Sequence, residues 1–98
     1  MKFFILDNNE RVSLVSIEKD KATITHYKDS VMYPFYHKDE VSIAEVNAFI
    51  ENRCFNRNRP DKDDLLKSIG LDTYDAWKIV RKTSGKMIHD RLSVCFIN

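Results

Sequence analysis

The chain has 98 residues, with 16 lysines and arginines against 15 aspartates and glutamates, so its formal net charge is +1. That length sets the expectation of one domain, 1–98, with a core covering roughly 60–70% of the unfolded surface. Near-neutral charge excludes recruitment to nucleic acid by a global field; any such contact must come from a local patch.

No apolar run approaches the ~18 residues of a membrane span, so no membrane contact is expected. The opening MKFFILDNNE holds a much shorter apolar run than the roughly 7–15 residues of a secretory leader, and a cytoplasmic protein is expected. Residues 2–6, KFFIL, are short and apolar and are followed by the turn-forming Asp7-Asn8-Asn9. Residues 11–17, RVSLVSI, are rich in β-branched side chains, and residues 22–28, ATITHYK, alternate, with Ala22, Ile24 and His26 on one side. Three short strands joined by tight turns predict an antiparallel meander. In residues 29–40 Pro34 sits among aromatics, which predicts an edge or irregular segment. Met32, Tyr33, Phe35 and Tyr36 either cover a sheet face or form an exposed contact surface.

Three helices are expected within 41–85. Ser42-Ile43-Ala44-Glu45 reads as a capping box, and Val41 with Val46 fits a hydrophobic staple. The first helix then runs to about Arg53, with Ile43, Val46, Phe49 and Ile50 inward. Pro60 suits the first position of the second helix, Asp61, Asp63 and Asp64 favour its N-terminal dipole, and Gly70 closes it. A third helix is capped by Asp72 or Thr73, buries Ala76, Ile79 and Val80 with Trp77 at the boundary, and ends at Gly85. Residues 91–97, RLSVCFI, alternate again and predict a last strand returning to the N-terminal sheet. The expected fold class is therefore α+β: a small antiparallel sheet with three helices on one face.

The chemistry concentrates in 53–85. Arg53, Arg57 and Arg59 fall within a stretch that has no acid from 52 to 60. Guanidinium groups there suit phosphates, carboxylates or aromatic faces, or pair with the aspartates that follow. With Tyr74 and Trp77 they form the expected contact surface, since arginine and large aromatics anchor interfaces. Lys78, Arg81 and Lys82 extend it. The second and third helices have helix-turn-helix spacing, but Asp72 and Asp75 at the expected start of the reading helix carry the wrong sign for phosphate. Direct nucleic-acid binding is thus the lesser expectation. Catalytic motifs are missing: no glycine-rich phosphate loop, no serine elbow, no HExxH. Cys54 and His37 are a conceivable nucleophile and base, though nothing in the sequence places them together. His26, His37, His89, Cys54 and Cys95 show no metal-ligand spacing. No cofactor is expected, while a zinc site assembled from distant residues is left open. The two cysteines are expected to be reduced thiols.

Read as a succession, Arg53, the loop Arg57-Asn58-Arg59-Pro60, Ile69-Gly70, the step Asp72-Thr73-Tyr74-Asp75 and the tail Ile79 to Met87 form a pattern over the C-terminal half. It resembles a short module of low-GC Gram-positive bacteria and their mobile elements that accompanies HipA-like kinases. The chain carries no kinase elements, so the resemblance implies an accessory or antitoxin-like partner of such a kinase. In size and style the chain is also similar to the small type II anti-CRISPR proteins. That likeness implies a non-enzymatic protein that binds a nuclease effector complex such as Cas9 and blocks DNA or guide-RNA engagement.

Overall fold

The computed structural model describes residues 1–97. In chain order it contains β1 (Lys2–Asp7), β2 (Glu10–Ile17), β3 (Lys21–His26), β4 (Glu40–Ser42), α1 (Ile43–Asn52), α2 (Lys62–Ser68), α3 (Ala76–Thr83) and β5 (Leu92–Ile97). The architecture is α+β, as the sequence predicts, with an antiparallel sheet in the order β4-β3-β2-β1-β5.

Turn chemistry fixes the meander. Asn8 and Asn9 both take left-handed conformations, φ 50° and 68°, which a tight hairpin demands and asparagine tolerates. The β1–β2 register slips between Ile5 and Leu6, so Ser13 faces Ile5 while Arg11 faces Leu6. Val12 is the extra residue of this bulge, and its carbonyl accepts from the amides of Tyr27 and Lys28. Phe3, Ile5, Val15, Ala22, Ile24 and Val94 line the covered face of the sheet. Val46 and Ile50 of α1, Leu66 of α2, and Ile79 and Val80 of α3 close on it.

A fourth, unpredicted N-terminal strand completes the sheet. β4 is three residues long and pairs Val41 with Ala22, too short for an alternating pattern to reveal. Between β3 and β4 the chain is irregular, and the two readings of its aromatics divide. Tyr33 and Phe35 pack on the core, with the Tyr33 hydroxyl donating to Asp7 Oδ2 at 2.7 Å. Met32 and Tyr36 are exposed.

Helix starts are where sequence and structure part. At α1 the Ser42 hydroxyl accepts from the Glu45 amide at 3.1 Å, and Val41 and Val46 are both buried. The Glu45 carboxylate pairs with Lys38 Nζ at 3.0 Å instead of reaching back, so half of the capping box forms. Pro60 does not open α2. That helix begins at Lys62 with Asp61 as a cap whose side chain makes no capping bond, because Arg59 holds both Asp61 oxygens at 2.9 and 3.0 Å. Nor do Asp72 or Thr73 cap α3. Asp75 does, accepting from the Lys78 amide at 3.3 Å, and the helix starts at Ala76. The closures are as expected in kind: Gly70 has φ +79°, and α3 ends on a left-handed Ser84 followed by Gly85. Among the described residues no helix is long and apolar enough to cross a membrane.

Candidate binding groove

Arg53 is the largest correction to the expected surface. It lies at the C-cap of α1, continuing the inward stripe Val46–Ile50–Arg53 at i, i+4, i+7, and is only 7% exposed. Its Nε donates to Gly85 O at 2.8 Å, and Nη1 and Nη2 reach Asp90 at 2.7 and 2.9 Å. Nη2 also donates to Leu92 O at 3.1 Å. The planar fork is thereby filled from within, and Asp90 is pulled down to about 2 by the Arg53 bonds. Arg53 is an internal anchor that ties the 85–92 segment to α1 and presents no face to a partner. Gly85 permits the approach: a Cβ there would sit 3.3 Å from Arg53 Cβ, on a backbone of φ +62°.

Trp77 is likewise turned inward. Its ring meets Phe3 edge-on at 6.1 Å and Phe96 at 6.1 Å, and its Nε1 donates to Asn47 Oδ1 at 3.0 Å.

Because Arg53 draws the 85–92 segment against α1, an open groove of about 620 Å³ forms between that segment and the arginine loop. Its floor is aromatic. Phe55 and Tyr74 meet edge to face at 5.6 Å, and the Tyr74 hydroxyl donates to Phe55 O at 2.6 Å. Arg57 lies over the Tyr74 ring, Cζ 4.8 Å from the centroid, and makes no ion pair among the described residues. Arg59 also lines the groove, but its charge is shared with Asp61, whose carboxyl it holds below the usual range. Met87, Ile88 and His89 form the facing wall, and Ile88 is fully exposed. Glu51 is the one acid on the lining.

Cys54 closes the inner end. Its thiol is buried and donates to Ile50 O at 3.3 Å, and burial pushes its pKa up to about 11. The thiolate needed for nucleophilic attack is therefore scarce at neutral pH. His37 lies by Asp29, with Nε2 4.0 Å from a carboxylate oxygen, so the structure does not join it to Cys54. Cys54 and Cys95 are both free, the first buried and the second exposed. In the folded protein Cys95 is expected to react with a water-soluble thiol reagent at neutral pH, at least about 100-fold faster than Cys54. Mass spectrometry of the labelled sites against time checks this.

His26 and His37 both approach Asp29, Nδ1 of the first at 3.9 Å and Nε2 of the second at 4.0 Å from its carboxylate oxygens. The His26 ring bonds the Lys38 carbonyl at 2.7 Å through Nε2, and His89 stands on the groove wall. No cluster of three or more metal-ligating side chains occurs among the described residues.

The expected binding residues thus fall into three sets. Arg57, Arg59 and Tyr74 share the groove; Arg53 is buried, and Trp77 is half-buried against the core, at the expected boundary. Lys78, Arg81 and Lys82 lie on the exposed part of α3, where Arg81 covers the Phe96 ring at 4.2 Å. Phe55, Met87, Ile88 and His89 were not foreseen. The available signal was Met87-Ile88, an apolar pair beyond the α3 closure that fits neither helix nor strand periodicity. No family model matches the chain, and no match is found among curated proteins or solved structures.

Proposed function

We propose that this chain is a non-enzymatic binding protein that inhibits a bacterial defence nuclease. In this reading it holds an acidic segment of the effector, with one apolar side chain, in the groove between Arg57 and Ile88. The observation that carries it is Arg57: a guanidinium over the Tyr74 ring, without an ion pair among the described residues, across the groove from a fully exposed isoleucine. An arginine restrained in this way has lost part of its freedom before binding, and its charge awaits a carboxylate. Ile88 exposes a large apolar side chain that a bound partner would cover. The high pKa of Cys54, the one thiol on the lining, supports a role in binding over catalysis. The nuclease as partner rests on the likeness to small anti-CRISPR proteins.

The test is binding of the purified chain to a guide-loaded Cas9 complex by interferometry. Arg57→Glu and Ile88→Glu are each expected to weaken binding by about 30-fold or more, the effect of losing an interface hot spot near 2 kcal/mol. Both side chains are solvent-facing, so circular dichroism should be unchanged. Binding that is indifferent to both substitutions sinks the groove assignment. A chain that ignores the nuclease complex but binds a HipA-like kinase through the same two residues replaces the partner and keeps the groove.

A further inference from the structure

A second surface stands apart from the groove, and we infer that it binds the sugar–phosphate backbone of single-stranded nucleic acid, independently of base sequence. From Ala76 to His89 the chain carries Lys78, Arg81, Lys82 and Lys86 and no acid. Lys78 with Arg81 and Lys78 with Lys82 are i,i+3 and i,i+4 pairs, so the three helical cations share one side of α3. All four are exposed, and none has a carboxylate in ion-pair range among the described residues. Asp90 is the sole acid from Ala76 to Ile97, and Arg53 occupies both of its oxygens. A chain of near-zero net charge thus keeps one acid-poor, cationic side.

Helix electrostatics do not account for this pattern. The dipole favours Arg81 and Lys82, which lie in the last turn of α3. Lys78 lies near the opposite end, where the dipole disfavours a cation, and Lys86 follows the helix closure. Like charges at i,i+4, such as Lys78 and Lys82, also repel. Lys78 and Lys86 gain nothing from the helix dipole, whereas a bound polyanion would draw on all four cations.

The geometry beside the cations fits a single strand. The Arg81 guanidinium lies over the Phe96 ring, with Cζ 4.2 Å from the centroid, a contact that restrains the side chain. Its outer side is a platform for an unpaired base. A shallow hollow of about 420 Å³ adjoins it, lined by Arg81, Ser84, Lys86, Cys95 and Phe96 among others, with no acid on the lining among the described residues. A protein partner would want a central apolar anchor, and the aromatic ring available here is already covered by arginine.

Fluorescence anisotropy with a labelled oligothymidylate of about 20 nucleotides, longer than typical single-strand site sizes, tests the inference. Binding is expected at about 50 mM salt, with a log–log salt slope near −3 if four cations each release about 0.7 counterion. Lys78→Gln/Lys82→Gln/Lys86→Gln, which leaves the Arg81–Phe96 contact intact, is expected to weaken binding by about 10-fold or more and flatten the slope by about 2. Arg57→Glu, on the groove, should leave this binding essentially unchanged. The inference is overturned by no binding at about 50 mM salt, by an unaffected triple variant, or by an equal loss from Arg57→Glu. Displacement by polyglutamate at matched charge would also overturn it, by making the surface one for acidic protein. These outcomes are independent of whether the groove binds a nuclease.

Discussion

Arg53→Ala is expected to lower the unfolding free energy by about 3 kcal/mol, the lower end of the 3–5 kcal/mol range for breaking a buried pair. The substitution removes the donors of Gly85 O and Leu92 O and strands Asp90. Asp90 is partly exposed, its side chain at 29%, so it rehydrates once freed, which places the loss at the low end. Urea denaturation followed by circular dichroism measures it, against a total stability of about 5–15 kcal/mol for a domain of this kind. The pair also has a pH signature. The Asp90 carboxyl titrates at about 2 in the folded protein against an ordinary value of 3.8. A depressed folded value means that its contribution is complete above the ordinary value and is lost as pH falls from about 4 to about 2. Asp90→Asn should therefore be less stable than the parent at neutral pH and should lack this part of the acid transition. An unchanged acid limb would mean that the pair is not formed in solution.

The other large effect is expected at Phe3. Phe3→Ala should cost about 3–5 kcal/mol, the range for truncating a buried phenylalanine. Its side chain is completely buried, and its ring adjoins Phe49, Trp77 and Phe96 at 6.2, 6.1 and 5.6 Å. Those partners come from α1, α3 and β5, so one truncation loosens the contact between the sheet and two helices. A domain of this size shifts its melting temperature by about 4–8 °C per kcal/mol, and thermal unfolding reads the loss directly. Trp77, the single tryptophan, lies edge-on to Phe3 and should report the cavity as altered emission in the native state. Phe3→Leu, which refills much of the volume, should cost markedly less. Equal losses from Ala and Leu would place the effect in the aromatic geometry and not in the packing.

What the sequence disclosed followed the strength of the local code. The first two strands showed themselves through short apolar and β-branched runs at 2–6 and 11–17, the third and last through alternation at 22–28 and 91–97, and Ser42 and Gly70 marked helix ends because their chemistry has few other uses. The start of α3 was placed too early, at Asp72 or Thr73, because both are as competent to cap as Asp75, which does. What decides is tertiary: Tyr74 is drawn onto Phe55, which leaves Asp75 to cap. At α2 the competition is electrostatic, since Arg59 engages the aspartate that would otherwise cap. Arg53 was misplaced by its composition, as a charge in a charged stretch, although Val46–Ile50–Arg53 continues a helical stripe that periodicity could have found. The groove could not be read at all from local pattern, because it exists only after Arg53 has drawn residues 85–92 across the end of α1.

That same contact governs how the sheet ends. The outward-facing groups of β5 are partly occupied: Leu92 N bonds Asp90 Oδ1, Leu92 O accepts from Arg53, and Val94 N donates to Ser84 O at 2.7 Å. At the opposite margin β4 is three residues long and runs directly into α1. Neither border offers a long free ladder to a second chain, which is how stable sheets avoid open-ended growth. LSVCFI in β5 is uncharged and rich in strand-forming residues, the composition that favours fibrillar stacking when exposed. Loosening Arg53 would free the Leu92 carbonyl on that border and release Asp90, so the same arginine that supports the fold also helps keep the outer edge of β5 from a second chain.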